Sequence, residues 1–599
     1  MTRFLATLAC VGALACGSAP PAEPPVSHAP TPAATPTSTP TPSTGRRLPA
    51  LDARHADGVA VGIHGAVASA EGHAGDAALA VLRRGGNAVD AAIALGFALA
   101  VTHPAAGNLG GGGFMIVRMA DGTETAIDYR ETAPGAATAD MFLDAKGERT
   151  PASLVGAKAA GIPGTVAGLA LAHARFGTRT WRELLAPAIA LARDGHALDE
   201  SHAAAMADAA TDMREAGFAD SARVYVGADG APLAAGAVWR QPDLARTLER
   251  IAEGGATALY TGDLAREMAD GVRKLGGIWR AEDLAGYRAI ERAPIAFDYR
   301  GHRVISMPPP SGGGVVLREM LGASEMLEMA RHPWRGPDAF HLFVEAARRA
   351  YADRNELLGD PDFSDLPTAR LVSAHYVRAR MRDIDPARAT PSSAIRGGQL
   401  PPESPQTTHY SVVDDWGNAV ANTYTLNASF GAKVVIPGTG ILLNDEMDDF
   451  ASKPGAPNAY GLVQGKVNAI APGKRMLSSM SPTIVVKDGK LRAVVGTPGG
   501  ATITTTVAQI VRALVDYGRP LDEAVRAPRV HHQWLPDRVV VEPGAEAAII
   551  EGLRARGHEV VQSPSGAWGH ANCIEVDPAT GGFRAVADAT RKAGSALAY

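Results

Sequence analysis

Three cysteines in 599 residues leave this chain with almost no disulfide chemistry. Cys10 lies inside an apolar leader and departs with it; if Cys16 is consumed as an anchor, Cys573 has no partner in the chain. A body of this size buries enough surface not to need a crosslink. Paired Cys-x-x-Cys and His-Glu-x-x-His patterns are missing as well, which argues against a metal centre. The net charge is −5 and there is no long basic block, so nothing points to a nucleic-acid partner. No Gly-x-Ser-x-Gly elbow occurs, which weakens a Ser-His-Asp hydrolase. Gly461-Leu-Val-Gln-Gly465-Lys466 is one residue short of a phosphate loop and is followed by Val467, where a magnesium-binding hydroxyl belongs. It reads as a tight turn.

What is present is a globular composition, 46% hydrophobic and 20% charged, long enough for two to four domains or one large two-part body. Residues 1–16 carry Arg3 and then an apolar run over residues 4–15, a secretory signal too short to span a bilayer. The run ends Ala13-Leu14-Ala15-Cys16 and resembles a bacterial lipoprotein signal, in which the cysteine is lipidated; Ala13 stands where that pattern prefers Leu, and ordinary signal cleavage is the alternative. Within residues 17–48, positions 18–44 hold nine prolines and ten Ser/Thr. Such a stretch cannot bury a core and favours extended conformations, so it reads as a disordered tether. The leader implies an extracytoplasmic protein, periplasmic or anchored to the outer membrane through Cys16, or else secreted.

The body begins with two helical patterns. Residues 77–84 stop at Gly85-Gly86, and Asn87 caps a second helix running to Val101, ended by Pro104. Glycines 110–113 read as a close-packing turn. Further helical patterns cover residues 187–194, 246–253 and 338–357, and the chain loosens over 386–406. Then the pattern changes. Residues 409–414 and 419–425 predict a hairpin, 483–487 and 491–496 a second, and 504–517 an apolar helix. Helices together with antiparallel strands predict an α+β fold of helix layers over sheet.

The segment containing Pro401, Pro402 and Pro405 stops at Thr407-Thr408, which open a strand-like run. A chain cut before Thr407 leaves a hydroxyl beside a free α-amine, a nucleophile next to its own base. The amine's ordinary value, about 7.7–8.0, suits it to proton transfer near neutrality. By itself the pair is equally the start of an exposed strand, and spacing does not choose between Thr407 and Thr408. Four polar clusters follow: Thr425-Leu426-Asn427, residues 444–449, residues 478–482 and Gly496-Thr497-Pro498-Gly499-Gly500. Taken alone, Asp448-Asp449 is a solvated surface pair, Pro498-Gly499-Gly500 a turn, and His531-His532 a structural pair.

In order and wording these strings resemble the gamma-glutamyltranspeptidases, which are N-terminal-nucleophile hydrolases. The resemblance runs from about Gly58 to Tyr599 and includes residues 108–114, 126–131, 306–313, 406–414, 440–450, 478–482 and 531–536. It implies a four-layer αββα fold with two stacked, mainly antiparallel sheets. It also implies self-cleavage between Gln406 and Thr407, giving a large subunit (residues 49–406) and a small catalytic subunit (407–599) that stay together as a heterodimer. The substrates implied are glutathione and other γ-glutamyl compounds, with water, amino acids or dipeptides as acceptors, and no metal or organic cofactor.

Residue by residue, the resemblance makes Thr407 the nucleophile and Thr425 its hydroxyl support. Arg130, Ser478 and Ser479 meet the substrate α-carboxylate, for which a planar guanidinium is suited. Glu446 and Asp449, with Asn427 beside them, meet the α-ammonium. Gly499 and Gly500 supply the oxyanion N–H groups, Gly500 also bordering the substrate pocket. Tyr460 is the shielding aromatic of a lid over residues 453–460. Asp588-Ala589-Thr590-Arg591 departs from the family's Asp-Pro-Arg, which concerns local packing more than chemistry. Two rivals remain: a cephalosporin or glutaryl acylase on the same scaffold, and a non-catalytic lipoprotein that binds amino acids or peptides.

Overall fold

The computed structural model describes residues 58–395, 407–453, 455–456, 464–564, 566–591 and 594–599. The leader, the tether, the segment just before Thr407 and Tyr460 lie outside the described residues. Two seven-stranded sheets organise the rest. One runs, in spatial order, Val59–Gly62, Phe583–Ala587, Asn572–Val576, Lys490–Val495, Thr483–Lys487, His302–Ser306 and Ile295–Tyr299. The other runs Ser595–Ala598, Ala66–Ser69, Thr408–Val413, Ala419–Thr425, Gly112–Arg118, Glu124–Tyr129 and Ile290–Arg292. Every pairing inside both sheets is antiparallel.

Side-chain alternation along the strands sorts the core into layers. Phe114 and Ile116 join Ile305, Ile484, Val494 and Ile574 between the sheets, in a core that continues under the helices Gly313–Met326, Pro337–Leu357 and Thr502–Asp516. Met115 and Val117 point the other way, into a second core under Gly72–Arg83, Ala88–Thr102 and Trp181–Asp194. Helix, sheet, sheet, helix is therefore the layer order, as expected.

Local chemistry explains the helix starts. Asn87 accepts from the Asp90 amide at 2.9 Å while Asp90 accepts from the Asn87 amide at 3.0 Å, a reciprocal cap. The helix it opens, Ala88–Thr102, is buried along its whole length, as suits a sequence that is apolar all round. The helix expected over 187–194 begins earlier, at Trp181, because Thr180 and Glu183 form another reciprocal cap and Pro187 is carried inside. The two hairpins and the helix Thr502–Asp516 fall within two residues of their expected limits. The glycines at 110–113 are close-packing residues. A Cβ on Gly111 would meet the Thr425 carbonyl oxygen at 2.1 Å, and one on Gly113 the Thr423 carbonyl oxygen at 2.4 Å. Among the described residues no helix is long and apolar enough to cross a membrane.

Candidate active site

Thr407 immediately precedes the strand Thr408–Val413, and Thr408 pairs with Tyr424, so the register carries Thr407 to the level of Thr425. Alternation then puts Thr407, His409 and Ser411 on the face toward the second sheet, while Tyr410 and Val412 enter the helix-side core. Thr407 and Thr425 line one cleft with Arg130, Asn427, Glu446, Asp449, Ser478, Ser479 and Gly500. Nine of the residues singled out from the sequence thus converge, from strand ends and loops far apart in the chain. Gly499 lines the neighbouring cleft, which Thr407 also borders. Tyr460 lies outside the described residues.

The floor of the cleft is a charge cluster. Arg130 is fully buried; its Nη1 lies 2.5 Å from Glu446 Oε2 and 3.5 Å from Glu131 Oε2, and its Nη2 pairs with Asp449. Its Nε donates to the Met476 carbonyl at 3.2 Å. Arg130 thus contacts three carboxylates, and Arg354 adds a second positive charge that acts on Asp449, which still leaves the acids in excess. Burial works to lower the Arg130 value, but Glu446, Asp449 and Glu131 overcome it and hold the group above its ordinary range. The carboxyls respond in the opposite sense to ordinary ion-paired acids. Burial pushes Glu131 up to about 7 and Glu446 well above the carboxylate range, with Arg130 pulling each back only in part. Asp449 is raised for the same reason. In this pocket excess negative charge is costly, and an added cation would relieve it.

The other contacts aim polar atoms into the same space. Asn427 has a left-handed backbone, φ 77°. Its amide N–H donates to Thr425 Oγ1 at 2.8 Å, and its side-chain NH₂ donates to the Asp445 carbonyl at 3.0 Å. The Asn427 carbonyl oxygen is the acceptor that remains. Ser478 Oγ accepts from the Met480 amide at 3.1 Å, whereas the buried Ser479 hydroxyl has no hydrogen-bond partner among the described residues. Gly499 and Gly500 have φ of 137° and 55°, conformations that disfavour side chains, and they lie at the N-terminal approach to Thr502–Asp516. The helix end adds a favourable potential for negative charge at their N–H groups.

Sequence reasoning passed over two contributors. Arg354, buried near the end of Pro337–Leu357, lines the cleft; a Cβ on Gly312 would strike its side chain at 2.8 Å. Glu131 lies beside Arg130 in the chain, and its contact with the Arg130 guanidinium has no local sequence signal. His531 and His532 prove structural: His531 is held by Thr505 and Gln533 at 2.8 and 2.9 Å, and His532 Nδ1 accepts from the Trp534 amide. Asp448 is buried and held by Ser153 at 2.7 Å, so Asp448-Asp449 is not a surface pair. The departure at residues 588–591 preserves an ion pair, Arg591 Nη1 to Asp588 at 2.6 Å.

Known proteins resemble this chain over most of its length. Residues 74–599 match the model of the gamma-glutamyltranspeptidase family. A glutathione hydrolase proenzyme of Escherichia coli is 49% identical over 86% of this chain and 88% of its own. One of Pseudomonas aeruginosa is 45% identical over 86% and 91%. Among solved structures, a cephalosporin acylase from Bacillus halodurans superposes with TM-score 0.78 at 28% identity, covering 94% of this chain and 99% of its own. The Helicobacter pylori gamma-glutamyltranspeptidase gives TM-score 0.53 at 39% identity, covering 55% of this chain and 94% of the compared one.

Proposed function

The chain belongs to the gamma-glutamyltranspeptidase family, and on that premise we propose that this glutathione hydrolase and γ-glutamyltransferase works through the hydroxyl of Thr407, freed by self-cleavage after Gln406. The observation that carries the reading is the convergence of Thr407, Arg130, Glu446, Asp449, Ser478 and Ser479 on one cleft. In maturation, the Thr407 hydroxyl attacks the Gln406 carbonyl, and water opens the resulting ester. The new α-amine then serves as base. In turnover, Thr407 Oγ bonds to the γ-carbonyl carbon of glutathione. Its proton passes to the α-amine and on to the leaving amine as the C–N bond breaks. The Gly499 and Gly500 N–H groups stabilise the oxyanion, and Thr425 orients the hydroxyl. Water or an acceptor amine then attacks the acyl ester and releases Thr407.

The substrate's two charges fit the cluster. Its α-carboxylate takes the guanidinium of Arg130 with the hydroxyls of Ser478 and Ser479, and its α-ammonium takes Asp449, Glu446 and the Asn427 carbonyl. The incoming ammonium balances the carboxylates that crowd Arg130 in the ligand-free protein. The cephalosporin or glutaryl acylase reading draws on the 0.78 superposition and on an acylase of Pseudomonas sp. that is 39% identical over 87% of this chain. A glutaryl chain lacks the ammonium, however, and would leave those carboxylates uncompensated.

Two measurements test this. Thr407→Ala should remain one uncut chain by intact mass and show no turnover; normal cleavage in that variant would refute the nucleophile. Wild-type enzyme should prefer γ-glutamyl-p-nitroanilide to glutaryl-p-nitroanilide; the reverse preference hands the site to the acylase reading. The heterodimer of residues 49–406 and 407–599 and an extracytoplasmic location, with a tether through lipidated Cys16, complete the proposal. N-terminal sequencing of protein from the native host reads both the 406/407 cut and the fate of Cys16.

A further inference from the structure

Two residues past Thr407, in the gap between the sheets, lies a polar knot that the reaction scheme does not use. His409 is fully buried among Thr423, whose Oγ1 is 2.7 Å from its Nδ1, and Ser411, whose Oγ is 3.2 Å from its Nε2. The His409 carbonyl accepts from the Asn572 side-chain NH₂ at 2.8 Å, and the Ser411 hydroxyl donates to the Asn572 carbonyl at 2.8 Å. Asn572 belongs to the opposite sheet, and its own amide donates to the Gly496 carbonyl at 3.2 Å. Gly496 has no room for a side chain: a Cβ there would lie 2.1 Å from His409 Cε1. One end of this knot is thus anchored two residues from Thr407. The other is anchored three and four residues from Gly499 and Gly500.

An apolar filling would close the sheet gap at lower desolvation cost, as it does farther along the same strands, where Val413, Ala419 and Ala421 pack. Apolar packing tolerates sliding between the sheets, whereas directional bonds at both ends of a side chain do not. Burial holds the His409 imidazole down to about 3, so it is neutral through the range in which the N-terminal amine of Thr407 works and is not a competing proton carrier. The bonds of His409 and Asn572 fix where two strands lie.

We infer that His409, Asn572 and Gly496 form a positioning brace across the two sheets that sets the distance between the Thr407 hydroxyl and the oxyanion N–H groups of Gly499 and Gly500. The inference rests on the proposed roles of Thr407 and those glycines. None of the three brace residues touches the substrate. Their loss should therefore act on the chemical step and leave recognition of the glutamyl group alone.

The test is kinetic, with mature enzyme carrying Asn572→Asp, Ser411→Ala or Gly496→Ala. Asn572→Asp keeps the shape and removes the NH₂ that His409 binds. Gly496→Ala forces the ring to move. Each should lower the acylation rate in single turnover by about 10–100-fold, the cost of sub-ångström to ångström misplacement. The inhibition constant for free glutamate should stay within about twofold and the pH profile of kcat should not shift. Asn572→Asp combined with Ser411→Ala should cost little more than the worse single change, because one link is broken twice. Acylation at the wild-type rate in folded Asn572→Asp and Ser411→Ala overturns the brace. So does a rate loss that is matched by weaker glutamate binding. If Thr407→Ala still turns over, the underlying assignment fails, independently of the brace variants.

Discussion

Two buried ion clusters in this molecule are built from the same side-chain types and balance their charges differently. Around the cleft, Arg130 stands against Glu131, Glu446 and Asp449. Farther back, Arg529 and Arg591 share Asp588 and Glu542, two cations to two carboxylates: Asp588 accepts from Arg529 at 2.9 Å and from Arg591 at 2.6 Å, and Glu542 pairs with Arg591. Glu542 also accepts from the Arg529 and Trp568 amides, each at 2.8 Å. The balanced cluster is complete as it stands and holds the turn at Trp568-Gly569 behind the Gly499 loop. The unbalanced one has acids pushed toward protonation. An excess of one sign in a buried cluster marks where a ligand's charge belongs, whereas a closed count marks structure.

Breaking the balanced cluster should have the largest effect on stability. Arg529→Met leaves Arg591 alone against two buried carboxylates, removes the donor to the Trp568 and Gly569 carbonyls, and should cost about 3–5 kcal/mol in denaturant unfolding. Asp449→Asn should do the opposite at the cleft. It removes surplus negative charge, so the thermal midpoint should hold or rise while kcat/KM falls about 100-fold through loss of the ammonium's partner. A lowered midpoint in Asp449→Asn would erase the distinction between the clusters. Arg130→Lys should raise KM by about tenfold and leave the 406/407 cut intact, since a point charge cannot replace the guanidinium fork; an unchanged KM would count against its role.

The smallest effect is on pH. Glu131 is raised in the folded state from an ordinary 4.5 to about 7. The native chain therefore holds a proton that the unfolded chain has released, and this group's contribution to stability is full below about 4.5 and lost as pH rises toward 7. Free glutamate brings both an ammonium and a carboxylate to the cluster, so its binding should be linked to proton exchange near pH 6. Calorimetry in buffers of different ionisation enthalpy reads that exchange, and no buffer dependence would contradict it.

Much of this is legible in the sequence. Period-two alternation marks both hairpins, the Asn87 cap marks a helix start, and the strings around Arg130, Thr425 and Gly499 mark residues that the fold brings to adjoining clefts. What stayed hidden depends on distance in the chain. Asp448-Asp449 looks like surface because its partners Ser153 and Arg130 lie some three hundred residues away. Arg354 looks like one polar position of a helix, and nothing local announces that Gly312 makes room for it. Spacing could not separate Thr407 from Thr408. The fold places Thr407 at the cleft and Thr408 within the strand, paired with Tyr424.

The order of strands carries one more consequence. Thr408–Val413 sits between Ala66–Ser69 and Ala419–Thr425, and the latter is flanked in turn by Gly112–Arg118. Each sheet holds strands from both before and after residue 406, and Ala66–Ser69 is seated between Ser595–Ala598 and Thr408–Val413. The proposed cut at 406/407 would thus make two chains of one without separating them. Before the cut, the chain searches for this arrangement as one polymer, at a rate independent of concentration. After it, any melted enzyme must find its other half by collision. Maturation is on this view a one-way passage, in which activity is gained and unimolecular refolding is given up. Dilution, harmless to the native enzyme, should become the main obstacle to its recovery from denaturant.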